Sequence, residues 1–290
     1  MIYSMTGFGS SLREIGQRTY QFEVRSLNGK TTDIRFKTSI NLRDRELALR
    51  RLVMDMGMRG KFDINLSLSA GDEHDNSINT ELLGRYYKDL MEFTEKNGID
   101  SGDIIQSLVR LPNVIKAGDN SISDEDWAEM EGMIREAMDM LNEFRNTEGT
   151  SIEKDLRVRV AGIVEALDSV EPFEKERVSS IKNRIKKNLK HHMGDETIDE
   201  NRFEQELLFY LEKLDINEEK VRLAQHCKYF LEQLDTPTIQ KGKKLNFISQ
   251  EMGREINTLG AKAQHSEIQQ LVVKMKDELE KIKEQIMNTL

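Results

Sequence analysis

The chain has 290 residues, of which 33 % are charged, and its formal net charge is -9. This acidic balance argues against a protein coated in positive potential, and the single cysteine excludes an internal disulfide framework and a cysteine-rich zinc site. The N-terminus lacks the pattern of a signal peptide, and no apolar run has the length of a membrane span, so we expect a soluble, cytoplasmic protein with no membrane partner.

Alternation of apolar and polar residues dominates the first 70 residues and predicts β-strands. One alternating run covers residues 19–28 and ends at the turn pair Asn28-Gly29, and another covers residues 31–40, so we expect a hairpin through this turn. Apolar residues then recur at helical spacing over residues 42–56, and a further alternating run covers residues 61–70. The pattern predicts a strand, hairpin, helix and strand module with an antiparallel sheet.

Helical patterns occupy most of the chain after residue 77. Between residues 148 and 192 we expect either two long helices or one helix kinked at Pro172. The narrow apolar stripe of this region could pack within one chain or against a second subunit, and spacing leaves both interpretations open. The stripe consists of Ile152, Leu156, Val160, Ile163, Leu167 and Val170.

The fold class that follows is α+β. We expect an N-terminal antiparallel-sheet α/β module over residues 1–150, a long helical connector over residues 151–200 and an all-helical C-terminal domain over residues 201–290. The two segments richest in polar chemistry lie in the last of these regions.

The first of these segments is an amphipathic helix that gathers polar groups on one face. Glu219, Arg222 and His226 occupy positions i, i+3 and i+7, and Asp215 precedes Glu219 by one turn. A carboxylate can fix the tautomer of a histidine and raise its basicity, yet a lone histidine on such a helix is more often a packing residue. Spacing leaves both interpretations of His226 open.

The second segment, residues 245–263, divides lengthwise into a buried strip, an amide and arginine strip, and a strip with two glutamates. Glu251 and Glu255 lie one turn apart and repel each other. Arg254 or Lys262 could relieve the repulsion as ion-pair partners, and so could a divalent cation such as Mg²⁺ or Mn²⁺, which prefers oxygen ligands. Spacing does not choose between an ion-pair network and a metal site.

A third feature is the basic run over residues 182–192, which has five Lys or Arg, two His and no acidic residue. Lys186 and Lys187 stand at its centre. Such a run can follow a nucleic-acid backbone, although most charge runs are solvated helix faces.

Several motifs together resemble the YicC family. They are MIYSMTGFG at the start, RSLNGKTTDI, R-x-x-EG at residues 145–149, LDINEE-x-x-RL-x-x-H, and GKKL-x-F-x-x-QEM-x-REINT near the end. They occur in the family's order over nearly the whole chain. This resemblance implies a bacterial cytoplasmic endoribonuclease, a homo-hexamer that encloses RNA, and activity associated with divalent metal, Mn²⁺ in particular.

The resemblance also implies roles for the polar residues of both helical segments. The residues expected to act in catalysis are His226, Glu251, Glu255 and Glu219. The residues expected to hold Mn²⁺ or Mg²⁺ are Glu251, Glu255, Asp215, Glu219 and His226. The residues expected to bind RNA are Arg222, Arg254, Lys243 and Lys262, and the basic run adds Lys186 and Lys187.

Two alternatives to metal-assisted hydrolysis remain. In one, His226 deprotonates a ribose 2′-hydroxyl and no metal takes part. In the other, the chain is a non-catalytic RNA-binding or adaptor oligomer.

Overall fold

The structure is a computed structural model, and it describes residues 2–16, 18–29, 31–40, 42, 45–68, 77–98, 104–116, 122–193 and 200–290. The chain forms two compact units. One comprises Phe8–Leu141, and the other comprises Met1–Gly7 together with Asn142–Leu290. The α+β class is confirmed, because a four-stranded sheet is followed by mostly helical structure. The predicted boundaries at residues 150 and 200 stay a prediction.

The sheet of the first unit contains β1 (Gly7–Ile15), β2 (Arg18–Leu27), β3 (Asp33–Thr38) and β4 (Lys61–Leu68) in the order β1-β2-β4-β3. The strand β4 pairs antiparallel with β2 and parallel with β3, so the sheet is mixed and not purely antiparallel as predicted. The predicted helix is observed as α1 (Arg45–Gly57). The predicted strand over residues 61–70 is confirmed over Lys61–Leu68, and residues 69 and 70 lie outside the described residues.

The predicted hairpin through Asn28-Gly29 is wrong, because β4 lies between β2 and β3. Burial accounts for the order. In β4 every second residue is buried, from Phe62 to Leu68, whereas in β3 the inward residues Ile34 and Phe36 are only partly covered. The more buried strand takes the central position and the less buried strand takes the edge. Alternation identified both strands but carries no information on which strands pair.

Sequence analysis missed the strand β1, in which a glycine permits close packing on a helix. A Cβ on Gly9 would lie 2.0 Å from the carbonyl oxygen of Ala137, so only glycine permits this close approach to the helix α4 (Asp124–Asp168). The hydroxyl of Ser11 donates to the carbonyl of Met133 at 2.7 Å and fixes the same contact. The inner face of the sheet, α1 and the first half of α4 share one hydrophobic core.

The described residues between 77 and 116 of the first unit form a small group of four elements. It contains β5 (Ser77–Ile78), α2 (Thr80–Asn97), α3 (Ile104–Leu108) and β6 (Ile115–Lys116), and β5 pairs with β6. The side chain of Asn79 accepts a hydrogen bond from the Leu82 N–H at 3.2 Å and thereby caps α2.

The second unit is helical. Its elements are the second half of α4, then α5 (Glu171–Met193), α6 (Glu200–Lys213), α7 (Asn217–Asp235), α8 (Gly242–Ala263) and α9 (Ser266–Met287). The first of the two predicted arrangements for residues 148–192 is observed, with two helices that meet near Pro172 in the first turn of α5, where proline is tolerated. Among the described residues, no helix combines the length and the apolar composition that crossing a membrane requires.

The narrow apolar stripe predicted for this region has five members on α4, and the sixth, Val170, follows that helix. All six are buried inside this unit, in the same core as the inward residues of α7, α8 and α9. Its six members are at most 8 % exposed. Packing within one chain is therefore the correct interpretation, and self-association through this stripe is excluded because its surface is already covered.

The two ends of the chain are joined within this unit and position α8. Ser4 forms a β-bridge with Thr289, and the Leu290 N–H donates to the Tyr3 carbonyl at 3.0 Å. The backbone oxygen of Leu290 accepts the N–H groups of Lys241 and Gly242, both at 3.0 Å. These bonds satisfy donors at the N-terminus of α8 that have no partner within the helix.

Candidate active site

The helices α7 and α8 pack against each other, and polar residues from both meet along this contact. Lys262, in the last turn of α8, donates from Nζ to Oε1 of Glu219 in the first turn of α7 at 2.7 Å. The two residues are 43 positions apart. The structure thus joins a residue predicted for catalysis to one predicted for RNA binding.

Glu219 is 5 % exposed and occupies the first position of the buried stripe of α7, which otherwise consists of Leu223, Cys227, Phe230 and Leu234. Its second oxygen, Oε2, is buried and has no hydrogen-bond partner among the described residues. A buried carboxylate oxygen without a donor costs free energy, so it is a place where water or a ligand group would be bound favourably.

Arg222 lies one turn further along α7 and contacts carboxylates of both helices. Its Nη2 lies 2.5 Å from Oε1 of Glu218 in the same helix, and its Nη1 lies 4.0 Å from Oε1 of Glu255 in α8. The guanidinium is more than half exposed whereas the Glu255 side chain is largely buried. Arg222 therefore carries accessible positive charge over a sheltered carboxylate.

Arg254 forms the outer part of the same region. It is 72 % exposed and its Nη1 donates to Oε1 of Glu251 at 2.7 Å. The neighbouring Thr258 uses its hydroxyl locally, donating to the Arg254 carbonyl at 3.0 Å. The ion-pair interpretation is thus observed for Glu251. Glu251 is paired within its helix, but Lys262 reaches Glu219 and not Glu255.

His226 lies on α7, and Asp215 lies two residues before that helix begins. His226 is partly buried, one turn beyond Arg222. Asp215 is exposed and accepts the N–H of Asn217 at 3.0 Å, at the residue where α7 begins. A carboxylate at a helix N-terminus satisfies a free donor and interacts favourably with the helix dipole, so Asp215 has a local structural role.

The predicted metal ligands can be compared directly with this geometry. Among the described residues, no group of three or more His, Cys, Asp or Glu side chains is placed to hold a metal ion. Glu219, Glu251 and Glu255 each lie within 4.0 Å of a Lys or Arg nitrogen. These cations offset part of the negative charge that a metal ion would need, so the described residues do not form a ready-made metal site, and their role as ligands stays a prediction.

The remaining predicted RNA-binding residues lie outside this contact. Lys243 is exposed in the first turn of α8, and Lys186 and Lys187 are exposed on α5. The basic run nevertheless begins beside the end of α8, because Arg184 donates to the side-chain oxygen of Gln264. The first turn of the basic run therefore lies at the end of α8 that also carries Lys262.

Sequence reasoning missed Arg177, which is only 6 % exposed. It lies four residues after Phe173 and four residues before Ile181, so it belongs to the inward stripe of α5. An arginine at an apolar position of a helical stripe is a recognisable signal of a buried cation with specific partners.

The sequence also matches two family models. One, described as the N-terminal region of YicC-like endoribonucleases, matches residues 2–154, and the other, described as the C-terminal region, matches residues 170–289. A "Probable endoribonuclease YicC" of Clostridioides difficile (strain 630) is 29 % identical over 99 % of both chains. A protein of the same name from Haemophilus influenzae is 26 % identical, again over 99 % of both chains.

Proposed function

This chain belongs to the family of YicC-like endoribonucleases, and on that premise we propose that it cleaves internal phosphodiester bonds of RNA. The observation that carries the choice of site is the pair of the buried Glu219 with the half-buried Lys262, flanked by the exposed guanidinium groups of Arg222 and Arg254. Sheltered carboxylates beside accessible cations provide what phosphoryl transfer needs, namely groups that accept protons and groups that stabilise negative charge.

Arg222 and Arg254 are the proposed phosphate ligands. Both are more than half exposed, and each is paired with a carboxylate on the surface of the contact. Exposed pairs of this kind contribute little to stability, so an RNA phosphate can take the place of the carboxylate at little cost. Guanidinium groups also bind phosphate with two parallel hydrogen bonds.

One route uses only side chains of this chain. His226 accepts the proton of a ribose 2′-hydroxyl, the 2′ oxygen forms a bond to phosphorus, and the bond between phosphorus and the 5′ oxygen breaks. Lys262 donates a proton to the departing 5′ oxygen. The products are a 2′,3′-cyclic phosphate and a 5′-hydroxyl. Dependence on Mn²⁺ or Mg²⁺ stays a prediction, which the experiment below addresses.

The proposed assembly is a homo-oligomer that encloses RNA, hexameric as the family resemblance implies. A chain of net charge -9 that binds RNA must direct its basic residues toward a common surface, and a ring with a basic lumen does so. The single cysteine, Cys227, is free and buried, which suits the reducing cytoplasm. A monomer by light scattering at micromolar concentration would contradict the assembly.

The activity is tested by incubating purified protein with a structured RNA in EDTA and in Mn²⁺, followed by analysis of the new ends. Cyclic phosphates formed in EDTA would support the route through His226. Cleavage only in Mn²⁺, with linear phosphate ends, would support the metal prediction and exclude that route. Lys276→Met, a substitution at an exposed position on α9, is a control variant that should cut RNA as the unsubstituted protein does.

The non-catalytic alternative makes a different forecast for the same samples. Highly purified protein would bind the RNA with a steep dependence on salt but yield no new ends in either condition. If cutting is seen, His226→Ala tests whether His226 carries it, because the variant should stop that cleavage while leaving RNA binding in place.

A further inference from the structure

The guanidinium of Arg177 on α5 contacts the end of α8 and the segment between α6 and α7, at one end of the proposed site. Its Nε donates to the carbonyl of Ala263 at 2.7 Å, and its Nη2 donates to the carbonyls of Leu214 and Lys262, the latter at 3.3 Å. Burial lowers the pKa of Arg177, while the nearby charges of Glu174 and Asp215 oppose that shift. A buried cation is retained at such a cost only where it satisfies several acceptors.

The acceptors are groups that helices leave unsatisfied. Lys262 and Ala263 are the last two residues of α8, and Leu214 directly follows α6. The last carbonyls of a helix lack a partner within it, and a cation at a helix C-terminus is favoured by the helix dipole. One guanidinium thus caps α8 and holds the segment that leads into α7.

Each of these two segments carries one member of the Glu219–Lys262 ion pair. Lys262 belongs to the capped end of α8, and Glu219 lies five residues beyond Leu214. We propose that Arg177 is a positioning residue that sets the separation of Glu219 and Lys262; its catalytic consequence rests on the proposed function. The planar fork of arginine reaches three carbonyls at fixed angles, which the single ammonium of lysine cannot do.

Neighbouring contacts of α5 strengthen the same junction. The Nζ of Lys220 in α7 pairs with Glu174, and the rings of Phe173 and His265 lie 5.7 Å apart, centroid to centroid. The first turns of α5 therefore touch both the start of α7 and the turn between α8 and α9. Arg177 is the member of this set that contacts the backbone of both sides directly.

The catalytic test is a double-mutant cycle with Arg177→Lys and Lys262→Met. We expect Arg177→Lys to lower kcat about tenfold with KM for RNA nearly unchanged, because a small misplacement of reacting groups slows the reaction without loosening binding. In the Lys262→Met background the same change should have no further effect on kcat. If the fold-losses in kcat of the two single variants instead multiplied in the double variant, the proposal would be overturned.

A second readout does not depend on cleavage. Hydrogen exchange should accelerate in residues 214–222 and 258–264 of Arg177→Lys and remain unchanged in both segments of Arg159→Lys. Arg159 is a suitable control because its guanidinium pairs with Asp155 and Glu278 within the same unit. If the wild-type protein cuts no RNA, the proposed function fails while this measurement still decides the role of Arg177. Unchanged exchange in Arg177→Lys would overturn it.

Discussion

Lys262 places its ammonium 2.7 Å from Glu219, a carboxylate that begins the otherwise apolar buried stripe of α7. When a buried charge loses its ion-pair partner, the free energy lost on removing that charge from water is no longer offset by the attraction between the two charges. The pair therefore couples the packing of two helices to the electrostatics of the proposed site.

Removing the cation should destabilise the fold. Lys262 is 29 % exposed, which screens part of the interaction, so we expect Lys262→Met to lower the free energy of unfolding by about 1 to 3 kcal/mol in urea denaturation. The double variant Lys262→Met/Glu219→Gln should recover part of this loss because no buried charge remains. Lys281→Met, at an exposed pair on α9, should leave the stability nearly unchanged. Equal losses in the two single variants would contradict the prediction.

The basic run of α5 should contribute to RNA binding through charge at a specific surface. Lys186→Glu/Lys187→Glu should weaken binding of single-stranded RNA and reduce the salt slope of the affinity by about 0.7 for each phosphate that the variant no longer neutralises. Fluorescence anisotropy over a range of salt concentrations measures both. Lys274→Glu/Lys276→Glu on α9 changes the net charge equally. If that control weakens binding as much, the basic run is only a solvated helix face.

Stability at high pH should depend on the buried thiol of Cys227. Burial raises its pKa from 9.0 to about 12. Above pH 9 the unfolded chain loses the proton while the folded chain keeps it, so the thiol's contribution, complete below pH 9, is lost as the pH rises toward 12. The loss approaches about 1.4 kcal/mol per pH unit within this window. Cys227→Ala should unfold in urea with a correspondingly weaker pH dependence, and identical pH profiles would rule out the effect.

Two glycines in helices should respond to alanine with opposite signs. A Cβ at Gly149 of α4 would lie 2.0 Å from the backbone oxygen of Ile2, so Gly149→Ala should cost about 1 to 3 kcal/mol of stability. Gly84 of α2 has nothing within 4 Å of such an atom, and Gly84→Ala should add about 0.5 to 1 kcal/mol because alanine favours the helix. Thermal unfolding compares the two, and a loss of stability in both would refute the argument.

Much of the local structure could be predicted from the sequence. The alternation over residues 61–70 identified β4, and helical spacing placed the buried strip of α8 and the inward stripe of α4 correctly. The pairing of Arg254 with Glu251 was one of the alternatives that spacing left open, because both residues belong to one helical turn. Each of these features depends on residues a few positions apart, which the repeat of a helix or strand relates directly.

Strand order and the composition of the candidate site could not be predicted in the same way. The sequence suggested pairing β2 with β3, but β4 lies between them because its inward residues are more completely buried. Periodicity likewise aligned Asp215 with Glu219. In the structure, however, Asp215 accepts a hydrogen bond from the N–H group of Asn217. Such outcomes depend on competition among distant packing partners, which spacing does not record.

The order of residues alone dictates which side chains share a face, since the repeats of 3.6 and two are properties of the backbone. The family motifs, in the family's order, are also enough to assign the chain to the YicC-like endoribonucleases. That Lys262 neutralises Glu219, and that Arg177 caps the helix end beside them, emerges only when the helices pack. These contacts join segments 43 and 86 residues apart, and they form because buried charges and free helix carbonyls must find partners once packing excludes water.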